Sequence, residues 1–136
     1  MTKVLVVDDT ADSIMILRSI LTNNGFAVTT AQSGLEALEA LKKDIPDLVL
    51  LDVMMPEMSG LEVLERIRSN AVTSKIPVIL VTAKTQDEDV LAGYQYGADY
   101  YITKPCTAKQ LLYGISLVLG KQEQPAAPKQ EPKDVV

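Results

Sequence analysis

Val4-Leu5-Val6-Val7-Asp8-Asp9 and Leu48-Val49-Leu50-Leu51-Asp52 decide how this chain folds. Each is a short apolar run that ends abruptly on a carboxylate. Two more follow the same plan: Val78-Ile79-Leu80-Val81 ends on Thr82, and Tyr100-Tyr101-Ile102 leads through Thr103 to Lys104. Apolar runs of this length, bounded by polar or turn residues, read as strands of a parallel sheet buried on both faces. If all run parallel, their C-terminal ends share one edge, and in open α/β sheets that edge is where ligands bind. It would carry Asp8, Asp9, Asp52, Thr82 and Lys104.

The segments between these runs read as helices. Ile14, Leu17, Ile20 and Leu21 recur at three- and four-residue spacing in a helix from about Asp12 to Asn23, which Asn24-Gly25 stops. A further strand is expected over about Phe26 to Thr30. The second helix starts at Ser33 with Glu36 three residues on, and is expected to bury Leu35, Leu38 and Leu41. Ser59 and Glu62 make the same start signal for a third helix burying Leu61, Leu64 and Ile67. Pro77 fits the start of the fourth strand, where a missing N–H is tolerable. A fourth helix, about Gln86 to Tyr96, has only a thin stripe of Val90, Leu91 and Tyr94, interrupted by Gly93. The fifth runs from Thr107 to Leu119, ends at Gly120, and turns Leu111, Leu112, Ile115, Val118 and Leu119 inward. Regular βα alternation over this span predicts a three-layer α/β sandwich around a parallel sheet. Residues 121–136 hold Pro125, Pro128 and Pro132 among scattered Lys, Gln and Glu, and read as a disordered tail or linker stub.

At 136 residues the chain suits one domain with a full core. No stretch approaches the length of a membrane span, and Met1-Thr2-Lys3 leads straight into a strand, so neither a signal peptide nor a membrane contact is expected. The single Cys106 fits a reducing cytoplasm and a small packed side chain. A net charge of −5 without a basic run argues against direct nucleic-acid binding. Histidine is absent, which removes His-based acid–base catalysis, His metal ligands and phosphohistidine chemistry within this chain.

Acids at close range repel by several kcal/mol, on the order expected for an effective dielectric near 20. An Asp-Asp pair by itself often only caps a helix. With Asp52 added, a divalent cation is the better compensation, and an all-oxygen, carboxylate-rich site suits Mg²⁺ or Mn²⁺. Lys104, aimed by the following Pro105, supplies further positive charge, and Thr82 a hydroxyl that can donate to an anionic oxygen. A carboxylate nucleophile, a metal, an ammonium and a hydroxyl together suit phosphoryl transfer.

Taken in order and spacing, V-L-V-V-D-D at 4–9, L-V-L-L-D-V-M-M-P-E-M-S-G at 48–60, V-I-L-V-T-A at 78–83 and Y-I-T-K-P at 101–105 resemble the receiver domain of bacterial two-component response regulators. The likeness runs from about Lys3 to Gly120, making residues 1–120 the receiver domain. It implies a doubly wound, flavodoxin-like sheet of five strands in the order 2-1-3-4-5 with five helices. It further implies that Asp52 is the phosphoacceptor and that Asp9 and Asp52 ligate Mg²⁺ directly. Asp8 would ligate mostly through water, and the Met54 carbonyl would complete the protein ligands. Lys104 and Thr82 would contact the phosphoryl group, Tyr101 would be the switch aromatic, and the Lys104-Pro105 peptide would be cis. The implied partners are a sensor histidine kinase or phosphotransfer protein, and a downstream protein target or fused output domain. The latter would be met through the face of helix four, strand five and helix five. By this resemblance the chain is a signalling switch rather than an enzyme.

Some features are more particular. All five tyrosines, Tyr94, Tyr96, Tyr100, Tyr101 and Tyr113, fall in the last third, on that expected face, where they serve either packing or a partner. Met54 cannot hydrogen-bond an attacking water, and Lys84 can reach over the phosphoryl group, so a long-lived phosphoaspartate is expected. Ala83 is small and leaves the donor a way in. Three other readings compete. A haloacid-dehalogenase-like phosphatase needs D-x-D after the first strand, where this chain has adjacent acids. A flavodoxin-like cofactor binder needs a Ser/Thr/Gly phosphate loop there. An interaction module that signals without phosphorylation would not need the full set of site residues.

Overall fold

The computed structural model describes residues 1–83 and 87–123. Five strands, β1 (Lys3–Val7), β2 (Ala27–Ala31), β3 (Leu48–Leu51), β4 (Val78–Thr82) and β5 (Tyr100–Thr103), alternate with five helices. These are α1 (Ala11–Asn23), α2 (Gly34–Lys43), α3 (Gly60–Ser69), α4 (Asp87–Gln95) and α5 (Ala108–Glu123). The strands form one sheet of order β2-β1-β3-β4-β5, and every pairing is parallel. The expected doubly wound order is therefore present. Register aligns Val7 with Leu51 and Leu51 with Leu80, so the residues that follow these strands emerge side by side.

Alternation along the strands sorts the core into two layers, as the two-residue period of a strand requires. Leu5, Val7, Val49, Leu51, Val78 and Leu80 pack with Ala37, Leu41, Val63, Leu64 and Ile67 of α2 and α3. Val4, Val6, Leu48, Leu50, Ile79, Val81 and Ile102 pack on the other face with Ile14, Leu17 and Leu21 of α1 and with Leu111, Ile115 and Val118 of α5. Burial on both faces explains why β1, β3 and β4 read as continuous apolar runs.

The helix starts follow their signals. Ser33 Oγ accepts from the Glu36 amide, and Ser59 with Glu62 closes a full capping box. Three expectations need correction. Leu35 is 61% exposed, because the buried stripe of α2 runs through Gly34, Ala37 and Leu41 and a residue next to Gly34 is turned about 100° away. It instead lines a groove of about 600 Å³ with Leu38, Ile45 and Val72. Gly120 does not end α5, which continues to Glu123; one glycine weakens a helix without stopping it. Gly93 is not a mere interruption of α4. A Cβ there would lie 2.7 Å from Leu80 Cδ1 and 3.3 Å from the Tyr101 ring, so its absence lets α4 sit directly on β4 and β5. Leu91 and Tyr94 of the thin α4 stripe are exposed.

At the N-terminal edge of the sheet, Arg68 gathers the ends of several elements. Its Nε donates to Gly97 O, Nη1 to Ser74 O and Ile76 O, and Nη2 to Asp99 Oδ2. Asp99 Oδ2 also accepts the Val78 amide.

Candidate functional site

The opposite, C-terminal edge brings together the residues singled out above. Asp8 follows β1 and its amide donates to Ala31 O, while the Asp52 amide after β3 donates to Val7 O. These bonds extend the ladder by one residue and fix both acids at the rim. Asp8 and Asp52 are buried, and Asp9 is exposed beside them. One carboxylate oxygen from each of Asp8, Asp9 and Asp52 lies within 4.8 Å of the others.

Two local turns aim the buried acids. Asp8 Oδ1 accepts from both the amide and the hydroxyl of Thr10, and Asp52 Oδ1 accepts from the Met54 amide. Each is an aspartate bonding the chain two residues on, which tolerates the sharp exit from a strand. Met54 itself is exposed. Lys104 comes from beyond β5, its amide bonded to Thr82 O, and the Lys104-Pro105 peptide is cis. Its Nζ reaches Asp8 Oδ2 at 2.7 Å, Asp52 Oδ2 at 3.2 Å and Ser13 Oγ at 3.2 Å. Burial acts to lower the Lys104 pKa, but the hydrogen bond that its ammonium donates to Asp8 and the charges of Asp52 and Asp8 outweigh it and raise the value above 10.5.

Thr82 ends β4 fully buried at the same rim. Tyr101 is half-buried on the α2–α3 side of the sheet, with its ring centroid 6.5 Å from that of Tyr94. Tyr100 points to the other face, packed in the α1–α5 layer. Tyr94 and Tyr96 are exposed, and burial, followed by the Tyr100 charge, raises the Tyr94 pKa. Cys106 packs against the α1–α5 layer, where burial pushes its thiol up. Lys84 lies outside the described residues.

Two contributors escaped the sequence reading. Thr10 could have been found as the residue two beyond an aspartate at a strand exit. Ser13 carries a weaker signal, a polar residue in the first turn of a helix that begins over the acidic rim.

The donor set fits a hard divalent cation. All three side chains offer oxygen, two are buried, and one ammonium bridges those two. Buried charge of one sign requires compensation, and Mg²⁺ or Mn²⁺ takes such ligands together with carbonyls and water. Among the described residues this is the one acidic group that could hold a metal ion, and no helix there is long and apolar enough to cross a membrane.

Comparison with known proteins agrees with the fold and the motifs. DNA-binding response regulator MtrA of Mycobacterium tuberculosis is 38% identical over 125 residues, 92% of this chain and 54% of that protein. The alkaline phosphatase synthesis transcriptional regulatory protein PhoP of Bacillus subtilis is 36% identical over 132 residues, 97% of this chain and 54% of its own length. The chain thus spans about half the length of these curated relatives. Chemotaxis protein CheY4 of Vibrio cholerae superposes with a TM-score of 0.83 at 32% identity, over 87% of this chain and 98% of that one. A CheY-like receiver domain protein from Methanospirillum hungatei gives 0.84 at 30% identity, over 90% and 97%. The family model of the response regulator receiver domain matches residues 4–116, from the second residue of β1 into α5. With that match and an acidic rim held at the ends of parallel strands, the chain belongs to the response regulator receiver domain family of two-component systems.

Proposed function

We propose that the domain is a phosphorylation-controlled switch in which Asp52 accepts a phosphoryl group from a sensor histidine kinase or a phosphotransfer protein. The observation that carries this reading is the placement of Lys104 Nζ between Asp8 and Asp52, within 3.2 Å of both carboxylates. One Asp52 oxygen forms the new P–O bond as the P–N bond to the donor imidazole breaks, and the bonding pair leaves with the imidazole nitrogen. These 136 residues hold no histidine, so the donor imidazole lies outside them.

Asp8, Asp9 and Asp52, with the Met54 carbonyl, are the residues to hold Mg²⁺, and Mn²⁺ suits the same oxygens. Bound there, the ion supplies charge neutralisation to the phosphoryl oxygens. Lys104 would supply a second positive charge, and the Thr82 hydroxyl would donate to the new anion. Asp8, buried and bonded to Thr10 and Lys104, orients the ammonium.

Phosphorylation adds charge beside a closely packed set of elements, and such sets shift between discrete arrangements. In this reading Thr82 moves toward the phosphoryl group and Tyr101 follows. The surface of α4, β5 and α5 then changes for a downstream protein or a fused output domain. In this reading the switching unit runs through the end of α5 at Glu123, and the rest of the expected linker or tail, 124–136, lies outside the described residues. Membership of the receiver family supports a cytoplasmic role in signalling rather than turnover.

The test is incubation with acetyl phosphate and Mg²⁺, followed by intact-mass measurement. One phosphoryl group should be gained, stable in mild acid and labile to base, and Asp52→Asn should abolish it. Absence of the adduct in the wild type overturns the proposal.

A further inference from the structure

We infer that Ser13 is a positioning residue for Lys104. A lysine ammonium has three N–H donors and no acceptor. Here three oxygens receive them: Asp8 Oδ2 at 2.7 Å, Asp52 Oδ2 at 3.2 Å and Ser13 Oγ at 3.2 Å. The ammonium is therefore fully satisfied and fixed in direction, although its side chain keeps 24% of its exposure.

The three acceptors are not equivalent. Asp8 and Asp52 are the buried members of the group that could hold a divalent cation. A cation drawing on those carboxylates competes with Lys104 for the same electron density. A neutral hydroxyl on the first turn of α1 takes no part in that competition. Ser13 keeps the ammonium beside Asp52 whether or not the acids are engaged elsewhere. Without it, a side chain with four rotatable methylenes recovers its freedom and swings toward water. Ser13 also links α1 to the segment after β5 across 91 residues of sequence, so the start of α1 and the ammonium share one anchor.

This inference rests on the proposal that Asp52 is the phosphoacceptor. The test compares wild type, Ser13→Ala and Ser13→Thr. Alanine is a better helix former than serine, so the first variant should fold with an unchanged or slightly raised melting temperature. In the metal-free protein, the ¹⁵N signal of the Lys104 ammonium should be sharp in wild type, broadened by exchange with water in Ser13→Ala, and restored in Ser13→Thr, which keeps the hydroxyl. With acetyl phosphate and saturating Mg²⁺, the maximal rate of phosphorylation should fall about threefold to tenfold in Ser13→Ala, the loss expected when a partly exposed ammonium gives up one of its three hydrogen bonds. The donor concentration at half-maximal rate should stay unchanged. If Ser13→Ala matches wild type in both the ammonium signal and the maximal rate while wild type is phosphorylated, the positioning role is wrong. If wild type itself takes up no phosphoryl group, the underlying assignment of Asp52 fails instead, and the ammonium signal alone then decides whether Ser13 holds Lys104.

Discussion

Gly60 is pressed against the backbone carbonyl of Asp52. A methyl group at position 60 would overlap that oxygen and crowd Val53 Cα at 2.7 Å, while the Gly60 amide donates to Val53 O at 2.9 Å. The first residue of α3 is thus welded to the loop that presents the candidate phosphoacceptor. Because the atoms in the way are backbone, they cannot rotate aside. Gly60→Ala should cost about 1–3 kcal/mol in urea unfolding, the usual range for overpacking. It should also slow acetyl phosphate labelling, since relief of the clash displaces Asp52.

Lys104 offsets repulsion among the rim acids, so Lys104→Met should lower stability at neutral pH by about 2–4 kcal/mol, as when one member of a buried ion pair is removed. Mg²⁺ should then stabilise the variant more than the wild type, because both cations answer the same carboxylates. The folded-state pKa of Lys104 is raised above its ordinary 10.5, chiefly by Asp8 and Asp52 against the lowering effect of burial. A raised lysine binds its proton more tightly in the folded state. Its contribution is therefore complete below pH 10.5 and is lost as pH rises through the folded value. Urea unfolding of wild type and variant across that range should show the two converging only at the alkaline end.

Arg68 holds four acceptors at the far edge of the sheet, three of them backbone carbonyls. Removing it strands those carbonyls and the Asp99 carboxylate. Arg68→Ala should cost about 2–4 kcal/mol, and Arg68→Lys should recover only part, since an ammonium lacks the planar fork. Amide exchange at Val78 and Asp99 should accelerate in both variants.

Phosphoaspartate lifetime should be long, minutes or more, because the exposed Met54 side chain offers nothing to orient an attacking water. Met54→Asn adds a group able to hold that water and should speed label loss by up to about tenfold. Decay of the phosphorylated mass in Mg²⁺ buffer is the measurement. Loss within seconds in the wild type would refute the reading.

Tyr94 and Tyr96 stand exposed on α4 and just after it, with the Tyr94 ring also set against Tyr101. The double alanine variant should weaken binding of a downstream partner by at least about tenfold, the loss expected when aromatic anchors are truncated. Titration of the phosphorylated protein against that partner provides the check.

Most of the sheet was legible because β1, β3 and β4 are buried on both faces, so no phase had to be solved: an apolar run sufficed. The rim followed from their ends, and Asp8, Asp52 and Lys104 do meet there. Helix faces were harder. Leu35 and Leu38 look alike in sequence, yet only their phase relative to Gly34 and Ala37 sends one to solvent. Gly93 looked like a defect because its reason lies in Leu80 and Tyr101 across the fold. Contacts made by long polar side chains were the least readable. The bond between Lys104 and Ser13, and the fan around Arg68, depend on reach and direction, which no local pattern encodes.

The path of α5 has a consequence for how a signal leaves. The helix starts near Lys104 and carries Val118 down to the pocket formed by Arg68, Pro77 and Asp99 at the other pole. A change at the acids is therefore felt at Val118 only through the layer between, where Leu111 and Ile115 pack on the strands.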